Sequence, residues 1–245
     1  MLHLNRKYRR TYAGENIIAE RVMVDGKWLS TTEYVPNNII NSQISNRAVV
    51  FGNGPQRNWF DIDHLMKHKS GLLGSQTMQK YGCNGFFRDY TPDFLIVTDR
   101  RIAREISIKG YTIDNIVYTR ADITLDFPRQ FYLIPHDPYA DAGSTALYIA
   151  AFDGHKKIYM LGFDGQDTPG MNQNVYAGTL GYDSADSHVD DTKWRENQAT
   201  VFRTYPDVDF VFVSKNGRNT FPECWKYCTN LRQIDFRSFV LEADL

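Results

Sequence analysis

This sequence predicts an α/β protein: a mostly parallel sheet with helices on both faces. Three observations carry that expectation. From residue 47 onward, short apolar runs alternate with amphipathic stretches, which reads as repeated strand–helix–strand units. The run Val49-Val50-Phe51 breaks abruptly into Gly52-Asn53-Gly54-Pro55, as a buried strand of a parallel sheet does on reaching its carboxyl end. The chain of 245 residues, 42% of them hydrophobic, is long enough for one large core of this kind or for a core with a small appendage.

The elements follow in order. Residues 1–47 are rich in Arg, Asn, Ser and Thr and are expected to form an arm. Asp25-Gly26 between Arg21-Val22-Met23-Val24 and Lys27-Trp28-Leu29-Ser30 is a hairpin signal. Arg6, Lys7, Arg9 and Arg10 give the arm a basic start that reads as a solvated face or as a contact for an anionic surface. Strands are predicted at 48–51, 72–75, 94–98, 115–118, 130–134, 157–161 and 209–213. Helices are predicted at 59–67, 101–109, 144–153 and 193–205. Residues 48–245 then form the main domain. Within it, 164–191 has little periodicity and many Gly, Asn, Asp and Ser residues, the character of a lid-like insertion.

Composition excludes several classes. A formal net charge of -1 gives no bulk attraction for nucleic acid, and no apolar stretch approaches the ~20 residues of a membrane-spanning helix. The first ten residues are basic but lack an apolar segment behind them, so no secretory leader is read there. Cys83, Cys224 and Cys228 show no disulfide spacing, and a reducing, cytoplasmic setting is expected. The pair Cys224 and Cys228 lacks further ligands for zinc and reads as free thiols.

The candidate functional residues sit where predicted strands end, the place at which open α/β sheets collect ligands. Gly52 and Gly54 remove β-carbons that would hold a phosphate or sugar away from the backbone, and Asn53 adds an amide that donates and accepts. The loop is not a Walker motif, because no Gly-Lys-Ser or Gly-Lys-Thr follows. Asn84, in Tyr81-Gly82-Cys83-Asn84-Gly85, suits a nucleobase edge or a ribose hydroxyl, or simply caps a turn. Ser144 or Thr145 is a good N-cap for an apolar helix, whose free amides favour a phosphate or a carboxylate. Asp164, ending Gly162-Phe163-Asp164, could orient a sugar hydroxyl or stabilise a turn, and Asp99 has the same two readings. His188, in Asp186-Ser187-His188-Val189-Asp190-Asp191, could serve as a general base beside carboxylates, or could be an exposed residue ahead of a helix cap.

Taken in order, Gly-Asn-Gly-Pro at 52–55, Cys-Asn at 83–84, Ser-Thr at 144–145, Lys-Lys-Ile-Tyr-Met-Leu-Gly-Phe-Asp at 156–164 and Ser-His at 187–188 form a series. It resembles the bacterial lipooligosaccharide sialyltransferases of glycosyltransferase family 42. It is also similar to proteins related to 6-hydroxymethylpterin pyrophosphokinase. The resemblance covers residues 48–215 and implies a Rossmann-like core of the GT-A variant type. It implies that Asn53 and Asn84 bind the cytidine nucleotide of a donor, that Ser144 and Thr145 contact the donor, and that His188 is the base. Two departures stand out. Gln56 replaces the Ser that usually continues the turn, and Pro138-Tyr139-Ala140-Asp141 stands where the family carries an Arg before the helix.

Three functions are therefore expected candidates. The first is a nucleotide-sugar-dependent glycosyltransferase with a CMP-sugar donor, a glycan acceptor and no firmly bound metal, although Asp190 and Asp191 offer oxygens to a divalent ion. The second is a non-catalytic structural or docking protein that meets a protein partner, or a second copy of itself, through residues 1–47. The third is a small-molecule phosphotransferase needing a nucleoside triphosphate and a divalent ion.

Overall fold

A computed structural model describes residues 2–11, 14–25, 27–33, 45–67, 78–163 and 173–245. The chain begins with three antiparallel strands, β1 (Leu2–Thr11), β2 (Gly14–Val24) and β3 (Lys27–Glu33), in the order β1-β2-β3. The hairpin expected at Asp25-Gly26 joins β2 to β3, with Val24 opposite Lys27 and Asp25 at a φ of 48°. The basic stretch of the arm is itself a strand, with Arg6 opposite Glu20 and Arg9 opposite Asn16.

The second sheet has eight strands: β4 (Arg47–Phe51), β5 (Met78–Cys83), β6 (Phe94–Val97), β7 (Ile116–Thr119), β8 (Tyr132–Leu133), β9 (Lys157–Leu161), β10 (Asp209–Ser214) and β11 (Leu231–Asp235). Every neighbouring pair is parallel, and the order is β11-β10-β9-β4-β5-β6-β7-β8. The chain starts at β4, runs outward to β8, then returns to lay β9 on the other side of β4. The point between β4 and β9 is therefore the topological switch of an open, Rossmann-like sheet, where a crevice forms at the carboxyl ends.

Among the described residues, five α-helices lie between the strands, α1 (Ile62–Lys67), α2 (Arg100–Ile108), α3 (Ala121–Asp126), α4 (Ala142–Phe152) and α5 (Thr192–Thr204), and α6 (Phe236–Ala243) follows the last strand. Side chains on a strand alternate between faces, so each buried run feeds two cores. Ala48 and Val50 join Leu147 and Ala150 of α4 and Phe202 of α5 on one face. Val49 and Phe51 join Leu65 of α1, Ile102 of α2 and Phe239 of α6 on the other. Helices thus cover both faces, as the unbroken apolar runs required.

Several elements differ from the sequence reading. The strand expected at 72–75 lies outside the described residues, and the neighbour of β4 is β5, Met78–Cys83. Its Gln79 and Lys80 hid it in the sequence, yet both are buried. Burial pulls the Lys80 ammonium down, and Asp93 works against that shift. The helix expected at 59–67 divides into a 3-10 turn, Pro55–Trp59, and α1. Three further elements, α3, β11 and α6, were not anticipated; the last follows a cap in which the Ser238 amide donates to Asp235 Oδ1 at 2.7 Å.

Candidate functional site

A cleft of about 1050 Å³ lies along the carboxyl ends of β4, β5, β6, β9 and β10. Gly52 and Asn53 follow β4, Asn84 follows β5, Asp99 follows β6, Gly162 follows β9 and Lys215 follows β10; all line the cleft. α5 and the segment before it contribute His188, Asp190, Asp191 and Trp194.

The turn after β4 is bound tightly to the turn after β9. The Gly52 amide donates to the Leu161 carbonyl and the Gly54 amide to the Gly162 carbonyl, each at 2.8 Å. A β-carbon on Gly52 would sit 2.2 Å from Gly162 O. Both glycines border the cleft, but their amides are engaged within the fold. Asn53 is engaged as well. Its Oδ1 accepts from Arg57 Nη1 at 2.9 Å, and its Nδ2 lies 3.2 Å from Tyr182 Oη and 3.4 Å from Cys83 O.

Arg57 was not singled out in the sequence, although it lies only four residues beyond Asn53. It is 1% exposed, donates also to Gly52 O at 3.2 Å and Tyr176 Oη at 2.7 Å, and lies 3.5 Å from the Asp89 carboxylate. Phe86 and Tyr176 flank its guanidinium, with ring centroids at 5.1 and 4.9 Å. Residues 176–182 dock here. Tyr182 Oη accepts from the Gly85 amide at 2.8 Å, and Arg88 donates to Leu180 O at 2.6 Å and Thr179 Oγ1 at 2.7 Å. Burial, the largest influence, raises the Tyr182 phenol well above its ordinary value, so it stays protonated.

Asn84 has a left-handed backbone, φ 44°, and its Oδ1 accepts from the Thr98 amide at 3.1 Å. Its Nδ2 has no partner among the described residues, which leaves a donor pair at the cleft wall. Asp99 caps α2, accepting from the amides of Arg101 at 2.7 Å and Ile102 at 3.4 Å.

The start of α4 is arranged differently from the expectation. The N-cap is Asp141, not Ser144 or Thr145. Asp141 accepts from the Ser144 amide at 2.9 Å, from Ser144 Oγ at 2.6 Å and from Asn197 Nδ2 at 3.2 Å. Ser144 and Thr145 are fully buried, and Thr145 Oγ1 donates back to Asp141 O at 2.8 Å. The short polar side chains serve helix packing, and the face presented to the cleft is Asp141, Ala142 and Gly143. Asp164 lies outside the described residues.

His188 is exposed at the cleft rim. Next to it, the Asp190 carboxylate accepts from the Thr192 amide at 3.0 Å; bonds from Thr192 lower its pKa, and His188 adds to the effect. Asp191 is paired with Arg195, whose Nε donates to it at 2.6 Å. Five aspartates, Asp99, Asp141, Asp183, Asp190 and Asp191, line the cleft against two cations, Arg195 and Lys215. Lys215 Nζ lies over the Trp59 ring, 4.5 Å from its centroid. Among the described residues, no group of three or more His, Cys, Asp or Glu gathers as a metal site. Nor is any helix there long and apolar enough to cross a membrane.

No family model matches the chain, and no curated protein matches it. Among solved structures, the sialyltransferase CstII from Campylobacter jejuni in complex with a substrate analogue, cytidine-5'-monophosphate, aligns at 13% identity over 68% of this chain and 78% of that one, with a TM-score of 0.38. The sialyltransferase CST-II in complex with trisaccharide acceptor and CMP aligns at 11% identity over 68% of this chain and 80% of that one, with a TM-score of 0.40.

Proposed function

We propose that the chain is a nucleotide-sugar-dependent glycosyltransferase, sialyltransferase-like, that takes a CMP-sugar donor and a glycan acceptor. The observation that carries this reading is the cleft at the β4/β9 switch, which gathers the Gly-Asn-Gly turn, the Asn84 amide and His188 around one volume. A crevice at this point is where doubly wound sheets hold nucleotides. The residue series from 52 to 188 adds the resemblance noted above.

In this reading His188 removes the proton from an acceptor hydroxyl, the acceptor oxygen bonds to the anomeric carbon, and the bond from that carbon to the nucleotide phosphate breaks. CMP departs with the electron pair, and the configuration inverts in one displacement. Asn84 binds the nucleotide through its open Nδ2 donors, Asn53 shapes the floor, and Ser144 and Thr145 act through the start of α4. Residues 1–47 serve as an arm, residues 48–245 as the nucleotide-binding domain and residues 164–191 as its lid. Calorimetry with CMP, CDP, UDP and GDP tests the reading: CMP or CDP binds, and a folded chain that binds none of the four overturns it.

One set of contacts favours a second reading, a non-catalytic structural or docking protein attached through residues 1–47. The amides of Gly52 and Gly54, the side chain of Asn53 and the cap of α4 are all engaged within the chain itself. Deleting residues 1–47 separates the two, since a docking protein loses its partner or oligomer while an enzyme keeps its nucleotide affinity.

A further inference from the structure

An anion entering this cleft meets unequal surroundings. At the turn after β4, the amides of Gly52 and Gly54 already bond to Leu161 O and Gly162 O. At the start of α4, the carboxylate of Asp141 occupies the position that a phosphate would take, accepting from the Ser144 amide. Asp190 and Asp191 line the same cleft and add like charge. Arg195, the cation nearest in sequence, is paired to Asp191.

Lys215 differs. It is the one cation lining the cleft that has no carboxylate partner among the described residues. Its ammonium rests over the indole of Trp59, which is 53% exposed and lines the cleft too. The backbone holds this pair in place. The Lys215 amide donates to Oε1 of the buried Gln56 at 3.2 Å, tying the loop after β10 to the 3-10 turn that carries Trp59. The loop is fixed again at Gly217, whose amide donates to Ser214 Oγ at 3.1 Å. Gly217 has a φ of 63°, and a β-carbon there would sit 2.8 Å from the Asp235 amide.

From this arrangement we infer that a nucleotide binds with its phosphate on Lys215, the ammonium that the Trp59 ring supports, on the β10 side of the cleft. The inference rests on the nucleotide reading given above and relocates the phosphate within it, away from the Gly-Asn-Gly turn and the start of α4. Gln56, which stands where the resembled family carries a Ser, is then the residue that positions the subsite. The indole holds the ammonium by a cation–π contact, and the ammonium keeps its donors for an anion. The aspartates on the α4 and α5 side turn the phosphate toward this wall by repulsion.

The experiment compares CMP with cytidine, which lacks the phosphate, by calorimetry on the full chain, on K215Q and on N84A. In the wild type CMP binds at least tenfold more tightly than cytidine, and the difference shrinks with added salt. K215Q brings the two affinities within about twofold of each other while leaving cytidine unchanged, because only the phosphate contact is lost. N84A weakens both ligands together and preserves their ratio. A W59A variant removes the support beneath the ammonium and narrows the gap between CMP and cytidine as K215Q does, though by less. Lys215 is exposed, so K215Q keeps its fold, which circular dichroism verifies. If CMP binds but its advantage over cytidine survives K215Q, the inference is overturned and the nucleotide reading stands. If a folded wild type binds neither CMP nor cytidine, both are overturned.

Discussion

The amide of Gly54 donates to the carbonyl oxygen of Gly162 at 2.8 Å, so the two turns at the switch of the sheet are one bonded unit. A β-carbon on Gly52 would meet that same carbonyl at 2.2 Å. The carbonyl belongs to the backbone and the β-carbon is fixed directly to it, so neither can swing aside. G52A is therefore expected to lose about 2 kcal/mol or more of stability through overpacking. Urea denaturation checks this, and an unchanged midpoint would contradict the close approach.

Arg57 joins the turn, the segment 176–182 and Asp89. Replacing it by Met leaves Gly52 O, Asn53 Oδ1 and Tyr176 Oη short of a donor. The expected loss is about 2–3 kcal/mol, the order for a buried network left without its donor. Tyr176 and Tyr182 should also become more accessible, readable as faster nitration or as stronger quenching of tyrosine emission.

Asp141 sets both a cap and a charge. D141A removes the cap of α4 and should lower stability by about 1 kcal/mol. D141N keeps an acceptor for the Ser144 amide but removes a negative charge from the cleft. It should bind CMP roughly threefold more tightly, the order expected from deleting one like charge within a Debye length. Calorimetry at two salt concentrations separates that effect from a change in fold.

His188 is exposed and carries no role in the core, so H188A should fold normally. With it, transfer of sugar to acceptor should fall by about 10²–10⁴-fold while CMP affinity stays unchanged. A variant that transfers sugar at the wild-type rate would remove His188 from the mechanism.

His155 gives a pH signature. Burial brings its pKa down to about 4 from an ordinary 6.5, with Nδ1 2.7 Å from Ser45 O and Nε2 2.9 Å from Tyr81 Oη. Because Ser45 O can only accept, Nδ1 carries the hydrogen. The unfolded chain takes up a proton below pH 6.5, whereas the folded chain does so only near pH 4. Stability should therefore fall as the pH drops from about 6.5 to 4, by up to about 1.4 kcal/mol per pH unit from this group, and level off below. H155Q should flatten that slope in denaturation curves recorded across the range.

What was legible in the sequence follows from local pattern. The unbroken apolar runs around Val50, Ile96 and Met160 announced strands buried on both faces, and the Asp25-Gly26 turn announced a hairpin. The strand at Met78–Cys83 escaped because Gln79 and Lys80 interrupt its apolar character, and their burial depends on neighbours such as Asp93. The α4 cap escaped for a similar reason: Asp141, Ser144 and Thr145 are all good caps by residue type, and packing against Asn197 of α5 selected the first.

By itself, then, the sequence determined the alternation of strands and helices and the turns at the strand ends, with Asn53 and Asn84 on them. Those outcomes depend on side chains only a few positions apart, which periodicity and turn chemistry report directly. Only the tertiary structure decided which of these groups remain open to a ligand. Asn53 meets Tyr182 129 residues away in sequence, Arg57 meets Tyr176 119 residues away and Lys215 meets Gln56 159 residues away. Contacts over such separations carry no local pattern, so the engagement of Asn53 and the open ammonium of Lys215 emerge only once the sheet brings its strand ends together.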